Sequence, residues 1–346
     1  VASLESIDLG LLAGSDLEEC QTLLCAAQTK GFFYIELANS EGRAYLELAE
    51  SLLSWSKEFF QKSLQEKLLE TRSDEIESWT AGLHACSLTT HSYKPIAQET
   101  GVVLGTKDGF EAYKVLLCPV SDFASCNGDV KIPTNMFIGA NRTAPCGCSG
   151  LVGDSKIGQA FATRSHEISN MILASLSRSL GLDGDAGFAD RHRFGVPSSS
   201  ATVVNCYPLQ LLPEGSSAGH NAHTDLGSIT LLFCSTWGLQ VYSAESATWS
   251  YVEPVRGRAI VNIGDTLRFL SGNTLQSCLH RVVRHSQWSG QHRLSLAYFA
   301  RPNSKTMLVD GQGCEWSVEK WVARKFRSYK ESHEQQDMNG VQFGGL

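Results

Sequence analysis

A series of short, β-branched segments in the second half of the chain constrains the fold more than any other feature. Gly, Asn, Pro or Ser separates the segments, and each is apolar or alternates between apolar and polar residues. Between residues 201 and 300 they read ATVVNCY, SITLLF, GLQVY, RAIVNIG, TLRFL, QSCLHRVV and RLSLAYFA. Many short strands with turns between them indicate a sandwich or a barrel.

The first half of the chain has a different periodicity. Residues 15–29, 41–70 and 158–180 carry apolar positions at helical spacing, and GFFYIEL at 31–37 reads as a short strand. A Cys-, Gly-, Pro- and Asn-rich segment at 118–156 indicates a long irregular connection. Because helices come first and strands afterwards, the sequence predicts an α+β protein and not a doubly wound sheet.

Charge and cysteine usage limit the classes of partner and compartment. A net charge of −7 over 346 residues argues against nucleic acid, which needs a basic face, and no apolar run is as long as a membrane span. The eleven cysteines have no regular spacing, which favours a reducing, cytoplasmic compartment. The chain starts without the features of a secretory signal, and the missing initiator Met leaves a removed leader open.

Three pairs of polar residues lie in the strand-rich half. The members of each pair are two positions apart, so on a strand they point to the same face. The pairs are Asn205 with Tyr207, His223 with Asp225, and Arg293 with Ser295. If their strands form one barrel, the three pairs can converge inside it.

The pair His223 and Asp225 needs a third ligand to make a metal site. His280 lies between apolar residues in the middle of a predicted strand. The other candidates are weaker, since His285 would face the other way near a turn, His292 points opposite to its neighbour in the strand, and His220 lies in a Gly/Ser-rich approach. Two imidazoles and one carboxylate form the facial set that leaves positions open on Fe(II). The alternative is a buried histidine that only hydrogen-bonds to a neighbour.

Arg293 lies in an otherwise apolar strand and needs an anion if it is buried. A structural carboxylate would satisfy it. A ligand carboxylate, bound in a bidentate manner with a further hydrogen bond from Ser295, would satisfy it equally. A dicarboxylate with a 2-keto acid at its other end, such as 2-oxoglutarate, would reach a metal and Arg293 together.

These residues and their surroundings resemble a known family. NCYP, HTDLGSITLLF, GLQVY, AIVNIGDTL, CLHRVV and RLSLAYF, together with the N-terminal IDLG and GFFYIE, are similar to the isopenicillin N synthase-like Fe(II)/2-oxoglutarate-dependent oxygenases, in particular fungal members that tailor secondary metabolites. The resemblance implies that the iron ligands are His223, Asp225 and His280, and that 2-oxoglutarate is held by Arg293, Ser295, Tyr207 and Asn205.

The resemblance also implies an architecture. The core is expected to be a distorted double-stranded β-helix (jelly-roll) with flanking helices, mostly N-terminal. Four segments then make one integrated catalytic domain. They are an N-terminal helical and strand region (1–117), a long connection plus a helix (118–200), the jelly-roll core (201–310), and a C-terminal helix and tail (311–346).

The implied activity is oxidation of a small-molecule natural-product intermediate. Fe(II) is the cofactor, 2-oxoglutarate and O2 are co-substrates, and hydrogen abstraction leads to hydroxylation, desaturation, ring closure or ring expansion. Three alternatives stay open: a 2-oxoglutarate-independent iron oxidase like isopenicillin N synthase, a member that oxidises aromatic polyketides, and a barrel that binds a ligand without turning it over. We expect a monomer or a weak homodimer.

The C-terminus suggests part of the substrate pocket. Residues 317–335 read as one amphipathic helix, and Val341 and Phe343 follow between glycines. The family's tail closes over the active site, so the resemblance implies that these two side chains help to wall the pocket. An apolar wall suits a small aliphatic substrate, for example a valine-like amino acid that closes to an aziridine. If Arg191 faces the pocket instead of solvent, the substrate is acidic.

Overall fold

The computed structural model describes residues 1–69, 91–116, 151–182, 187–209, 216–286, 291–341 and 344. Within these residues, no helix combines the length and the apolarity that crossing a membrane requires. The helices are α1 (Leu9–Ala13), α2 (Leu17–Thr29), α3 (Ser40–Gln61), α4 (Leu64–Leu68), α5 (Leu151–Ser179), α6 (Asp265–Leu270), α7 (Val318–Ser328) and α8 (His333–Asn339). A short 3-10 helix spans Ala189–His192.

Two antiparallel-rich sheets face each other. The larger has the strand order β1-β2-β12-β9-β14-β6-β5-β3 and the smaller β11-β10-β13-β8. The bounds are β1 (Ser6–Asp8), β2 (Phe32–Glu36), β3 (His91–Lys94), β4 (Lys107–Asp108), β5 (Glu111–Leu116), β6 (Ala201–Tyr207), β7 (Ser216–Ser217), β8 (Gly219–His223), β9 (Ile229–Cys234), β10 (Leu239–Ser243), β11 (Thr248–Tyr251), β12 (Arg258–Ile263), β13 (His280–Val283), β14 (Arg293–Ala300), β15 (Met307–Val309) and β16 (Glu315–Ser317).

The side chains of the larger sheet divide between two apolar cores. On β14, Leu296 and Tyr298 join a cluster with α2, α3 and α5, which cover the outer face of the sheet. Residues on the other face, such as Val203 and Tyr207 of β6, pack with Leu239 and Val282 of the smaller sheet. The arrangement is a jelly-roll with helices on one side, which confirms the architecture that the family resemblance implied.

The three helices predicted in the first half of the chain are confirmed. They correspond to α2, to α3 with α4, and to α5, and the strand predicted at GFFYIEL is β2. The 41–70 pattern is interrupted because Ser63 begins a new helix with a capping box to Glu66. Most of the predicted irregular connection at 118–156 lies outside the described residues. Its described end was predicted wrongly, because α5 begins at Leu151 and residues 151–156 are helical.

One of the seven predicted strands is wrong. TLRFL belongs to α6, a helix whose first backbone N–H groups are satisfied from outside. Asp265 N–H donates to the carbonyl of Asp225 at 2.7 Å, and Thr266 N–H donates to the carbonyl of Gly227 at 3.0 Å. The loop that carries Asp225 thus supplies acceptors for the start of the helix, which the apolar run TLRFL does not reveal.

The single helix predicted at 317–335 is two helices. Ser317 caps α7 and Ser332 caps α8, the latter with a capping box to Gln335. Tyr329, at the end of α7, therefore lies at a bend. The bend allows α7 and α8 to cover the end of the jelly-roll where β8 and β13 meet, with Tyr329 against His223 and Gln336 hydrogen-bonded to Asn221.

Candidate active site

Neighbouring strands bring together the three predicted iron ligands. His223 is the last residue of β8, His280 is the first residue of β13, and the two are paired across the sheet. Asp225 follows β8 after one intervening residue. One ligand atom from each residue lies within 4.8 Å of the others, and all three side chains are buried.

Backbone carbonyls orient the two imidazoles. Nδ1 of His223 lies 2.8 Å from the carbonyl oxygen of Asn221, and Nδ1 of His280 lies 3.1 Å from that of Cys278. Nδ1 must carry the proton to donate to these carbonyls, so the lone pair stays on Nε2. The two Nε2 atoms lie 3.7 Å and 3.9 Å from Oδ1 of Asp225. Burial, followed by the neighbouring His280, lowers the pKa of His223 to about 3, which favours the neutral form that a metal needs.

Asp225 offers one oxygen to the two imidazoles and holds the other in hydrogen bonds. Its Oδ2 accepts from the side chains of Thr230 and Asn262, each at 2.6 Å. Burial alone would raise the pKa of Asp225, but the two imidazoles and these two donors outweigh it and lower that pKa. The carboxylate is therefore ionised and its Oδ1 is directed toward the histidines.

A fully buried ion pair braces the residue between the ligands. Thr224 donates its hydroxyl proton to Oδ2 of Asp265 at 2.9 Å. Lys325 of α7 donates to the same carboxylate oxygen at 2.7 Å and to Oγ1 of Thr224 at 2.8 Å. Gly264, just before α6, packs so closely on the loop that a Cβ would lie 2.3 Å from the carbonyl oxygen of Gly227. Helices α6 and α7 thus fix the backbone between His223 and Asp225.

The predicted 2-oxoglutarate residues line the inner face of the larger sheet. Arg293 is paired with Tyr207, and Ser295 with Asn205, across β14 and β6. The Arg293 side chain is 1% exposed, and its Nε donates to the carbonyl of Trp237 at 3.1 Å. Both terminal nitrogens lack a hydrogen-bond partner among the described residues. A guanidinium with two such donors has the geometry to bind a carboxylate in a bidentate manner.

A continuous series of rings joins Arg293 to the predicted metal ligands. The guanidinium lies 4.9 Å from the ring centre of Tyr207, which stacks on Phe110 at 5.4 Å. Phe110 contacts His220 at 4.6 Å, and His220 stacks on His223 at 4.2 Å. The two predicted sites therefore belong to one interior region of the jelly-roll.

Several residues that shape this region did not stand out in the sequence. Tyr329 of the α7 end lies edge-on to His223, with ring centres 5.9 Å apart. His220, a weaker ligand candidate in the sequence, faces the site from β8, three residues before His223. The sequence signal for Lys325 is its helical spacing from Val318 and Trp321, which places it on the apolar face of α7, where a buried lysine needs an anionic partner.

The remaining candidate residues lie at the edges of the site or outside the described residues. Val341 packs in an apolar cluster with Leu226 and Trp321, and Leu226 directly follows Asp225. Phe343 lies outside the described residues. Arg191 is half-buried in the 3-10 helix, where its carbonyl accepts from the N–H of Asn303 at 2.7 Å.

A jelly-roll that presents two imidazoles, one carboxylate and a buried guanidinium defines the class of non-haem iron oxygenases. The family profile described as the 2OG-Fe(II) oxygenase superfamily matches residues 198–302. The 2-oxoglutarate-dependent dioxygenase frbH of Dothideomycetidae sp. is 33% identical over 100% of this chain and 96% of its own. The corresponding enzyme iboH of Amanita muscaria is 42% identical over 54% of this chain and 91% of its own.

A solved structure shares the fold. A full-length Neurospora crassa protein in complex with alpha-KG superposes with a TM-score of 0.66 at 21% identity, over 94% of this chain and 96% of that chain. The protein described here belongs to the 2OG-Fe(II) oxygenase superfamily. It is a 2-oxoglutarate-dependent dioxygenase that uses Fe(II) as cofactor and 2-oxoglutarate and O2 as co-substrates. The isopenicillin N synthase-like subtype is compatible with these relatives.

Proposed function

We propose that His223, Asp225 and His280 hold the catalytic Fe(II) of this dioxygenase. The observation that carries the proposal is the convergence of two Nε2 atoms on Oδ1 of Asp225, at 3.7 Å and 3.9 Å, with every other polar atom of the three side chains already hydrogen-bonded. This donor set, with neutral imidazoles and an ionised carboxylate, fits Fe(II) and leaves one side of the metal for small ligands.

We propose further that Arg293 binds the distal carboxylate of 2-oxoglutarate, with Ser295, Tyr207 and Asn205 beside it. The unused terminal nitrogens of Arg293 support this role, because they provide two parallel donors in a buried region. The iron supplies the activation of O2 and of the keto acid when it is bound. The protein's part is to fix the ligand atoms, to position the co-substrate, and to exclude water with the aromatic side chains around His223.

The proposed substrate is a small-molecule natural-product intermediate, specifically a small aliphatic amino acid such as valine, whose oxidation closes an aziridine. We propose that the tail, with Val341 and Phe343, closes one side of the site. Two contacts support a coupling of the tail to the iron loop. Val341 packs with Leu226, and Gly344 lies against the Asp265 carboxylate that holds Thr224. Arg191 remains a candidate for the rim of the pocket.

We propose a reducing, cytoplasmic location and a monomer or weak homodimer, without nucleic-acid or membrane partners. The free thiols of the six described cysteines support the compartment. The net charge of −7 supports the exclusion of nucleic acid.

Iron content and succinate release test the iron and co-substrate proposals. We expect the wild-type protein to bind one Fe(II) and to release succinate from 2-oxoglutarate, and His280→Ala to lose both. His285→Ala is the matched control, because the His285 ring stacks on Trp237 with ring centres 5.5 Å apart and is not one of the three ligands. Full iron content and full turnover in His280→Ala would show that another ligand set binds the metal.

The same assay separates the alternatives. An isopenicillin N synthase-like oxidase would consume O2 and substrate without forming succinate. A ligand-binding barrel would consume no O2 and form no succinate, even with iron bound.

A further inference from the structure

A second buried guanidinium lies on the inner side of the jelly-roll. Arg301 directly follows β14 and continues the alternation that places Arg293, Ser295 and Phe299 on the inner face. Its side chain is 4% exposed. The distal carboxylate of 2-oxoglutarate is assigned to Arg293, at the opposite end of β14. Arg301 is therefore not needed for that contact.

The hydrogen bonds of Arg301 leave its charge uncompensated. One terminal nitrogen donates to the carbonyl of Ser199, and Nε has no partner among the described residues. No described carboxylate forms an ion pair with it. Burial lowers its pKa to about 10, against the opposing effects of Tyr329 and Asp225. Asp225 belongs to the proposed iron site, and there its charge serves the metal. A buried cation in this situation calls for another anion.

Its neighbours place Arg301 beside the proposed iron site. The guanidinium lies 5.5 Å from the ring centre of Phe326, and Phe326 lies 6.1 Å from Tyr329. Tyr329 in turn lies edge-on to His223 at 5.9 Å. Phe326 and Tyr329 are both only partly buried, so this aromatic wall keeps accessible surface next to the metal ligands.

A lysine faces the same aromatic wall. Lys114 of β5 is buried, and its ammonium lies 4.9 Å from the ring centre of Phe326. Lys114 is one of three lysines near the carboxyl of Glu99, whose pKa burial raises against their opposing effect. Arg301 forms no ion pair with a carboxylate among the described residues. Two cations on one ring make this wall electropositive.

We propose that Arg301, assisted by Lys114, binds an anionic group of the substrate, so that the substrate is a carboxylic acid held between β14, β5 and the Phe326–Tyr329 wall. The proposal rests on the proposed function, because it needs the iron at His223, Asp225 and His280. It narrows the substrate class, since a neutral aromatic polyketide would leave the guanidinium unpaired, whereas an amino acid or another organic acid would satisfy it.

A pair of isosteric probes tests the proposal. Isovalerate and isovaleramide have nearly the same shape and differ in charge. We would titrate each by calorimetry into the Zn(II)-loaded protein with saturating 2-oxoglutarate, which keeps the Arg293 site filled and prevents turnover. We expect saturable millimolar binding of isovalerate and about 10- to 100-fold weaker binding of the amide, as for one charge-assisted contact.

Three variants make the test specific. Arg301→Gln should abolish the preference for the acid, and Arg301→Lys should keep part of it. Arg324→Gln, which removes a guanidinium that stacks on Trp316 at 4.8 Å, is the control and should bind as the wild type does. Equal binding of the two probes, no isovalerate binding at all, or an unchanged preference in Arg301→Gln would overturn the proposal.

The affinity for 2-oxoglutarate, measured on the same samples, distinguishes the two levels of failure. If Zn(II) and 2-oxoglutarate bind normally and only the preference for isovalerate is absent, the substrate proposal is wrong and the proposed function stands. If wild-type protein binds neither Zn(II) nor 2-oxoglutarate, the proposed function fails and the substrate proposal fails with it.

Discussion

Replacement of Arg293 by leucine should separate binding of the co-substrate from stability of the fold. Among the described residues, the two buried terminal nitrogens of this side chain have no hydrogen-bond partner, so the substitution removes unsatisfied donors, which offsets the loss of the Nε hydrogen bond to the carbonyl of Trp237. The free energy of unfolding should therefore change little. A bidentate, charge-assisted contact to a carboxylate contributes about 2–4 kcal/mol to binding. We therefore expect the Kd of 2-oxoglutarate to rise about 30- to 1000-fold.

The assay is succinate formation as a function of 2-oxoglutarate concentration, together with thermal unfolding of each variant. Arg258→Leu is the matched control. Arg258 lies in the same sheet, but its Nε already pairs with Glu36 at 2.7 Å, so its loss should leave the 2-oxoglutarate requirement unchanged. An unchanged requirement in Arg293→Leu would refute the role of Arg293. Substrate oxidation without any 2-oxoglutarate would instead indicate an oxidase that uses Arg293 for a substrate carboxylate.

Three further predictions address the surroundings of the site. Lys325→Met should destabilise the protein by about 3 kcal/mol and weaken Fe(II) binding, because it leaves the buried Asp265 carboxylate without its ion-pair partner. Urea unfolding measures the stability and iron titration measures the binding, and adding Asp265→Asn should restore the stability. Burial lowers the pKa of His192 to about 4 from 6.5, so the unfolded chain binds more protons between these values. The contribution of His192 to the free energy of unfolding is complete above pH 6.5 and should fall by about 3 kcal/mol as the pH drops to about 4. Urea titrations at several pH values should show that His192→Asn lacks this dependence on pH. Deletion of residues 340–346 should preserve iron binding but uncouple succinate formation from product formation, whereas unchanged coupling would show that the tail does not close the site.

Local periodicity predicts a sandwich or barrel of short strands and the pairs of polar residues that share a face, whereas the jelly-roll and the roles of the site residues were implied by the resemblance to the family. Residues two apart on a strand must share a face, which is why Arg293 and Ser295 were assigned together, and the structure pairs them with Tyr207 and Asn205. Their roles toward 2-oxoglutarate remain proposals. His280 was singled out because a buried histidine in mid-strand needs a partner. The predicted mid-strand position is wrong, since His280 is the first residue of β13, but it is paired with His223.

The parts that escaped prediction depend on contacts between distant segments. Helix α6 was mistaken for a strand because the acceptors for its first N–H groups come from Asp225 and Gly227, in a loop far away in sequence. Tyr329 reaches His223 only because the chain bends between α7 and α8. Nothing in the local pattern of residues 317–335 reveals the direction of that bend. Side chains that cover an active site from another segment require the tertiary structure.

Anaerobic titration of the Fe(II)-loaded protein with 2-oxoglutarate tests the central claim most directly. Chelation of the keto acid by iron produces a weak visible charge-transfer absorption, so the band reports on metal and co-substrate together. We predict that it saturates at one equivalent of 2-oxoglutarate in the wild type, disappears in His280→Ala, and needs far more 2-oxoglutarate in Arg293→Leu. A band that persists in His280→Ala, or the absence of any band in wild-type protein with iron bound, would contradict the assignment of the site.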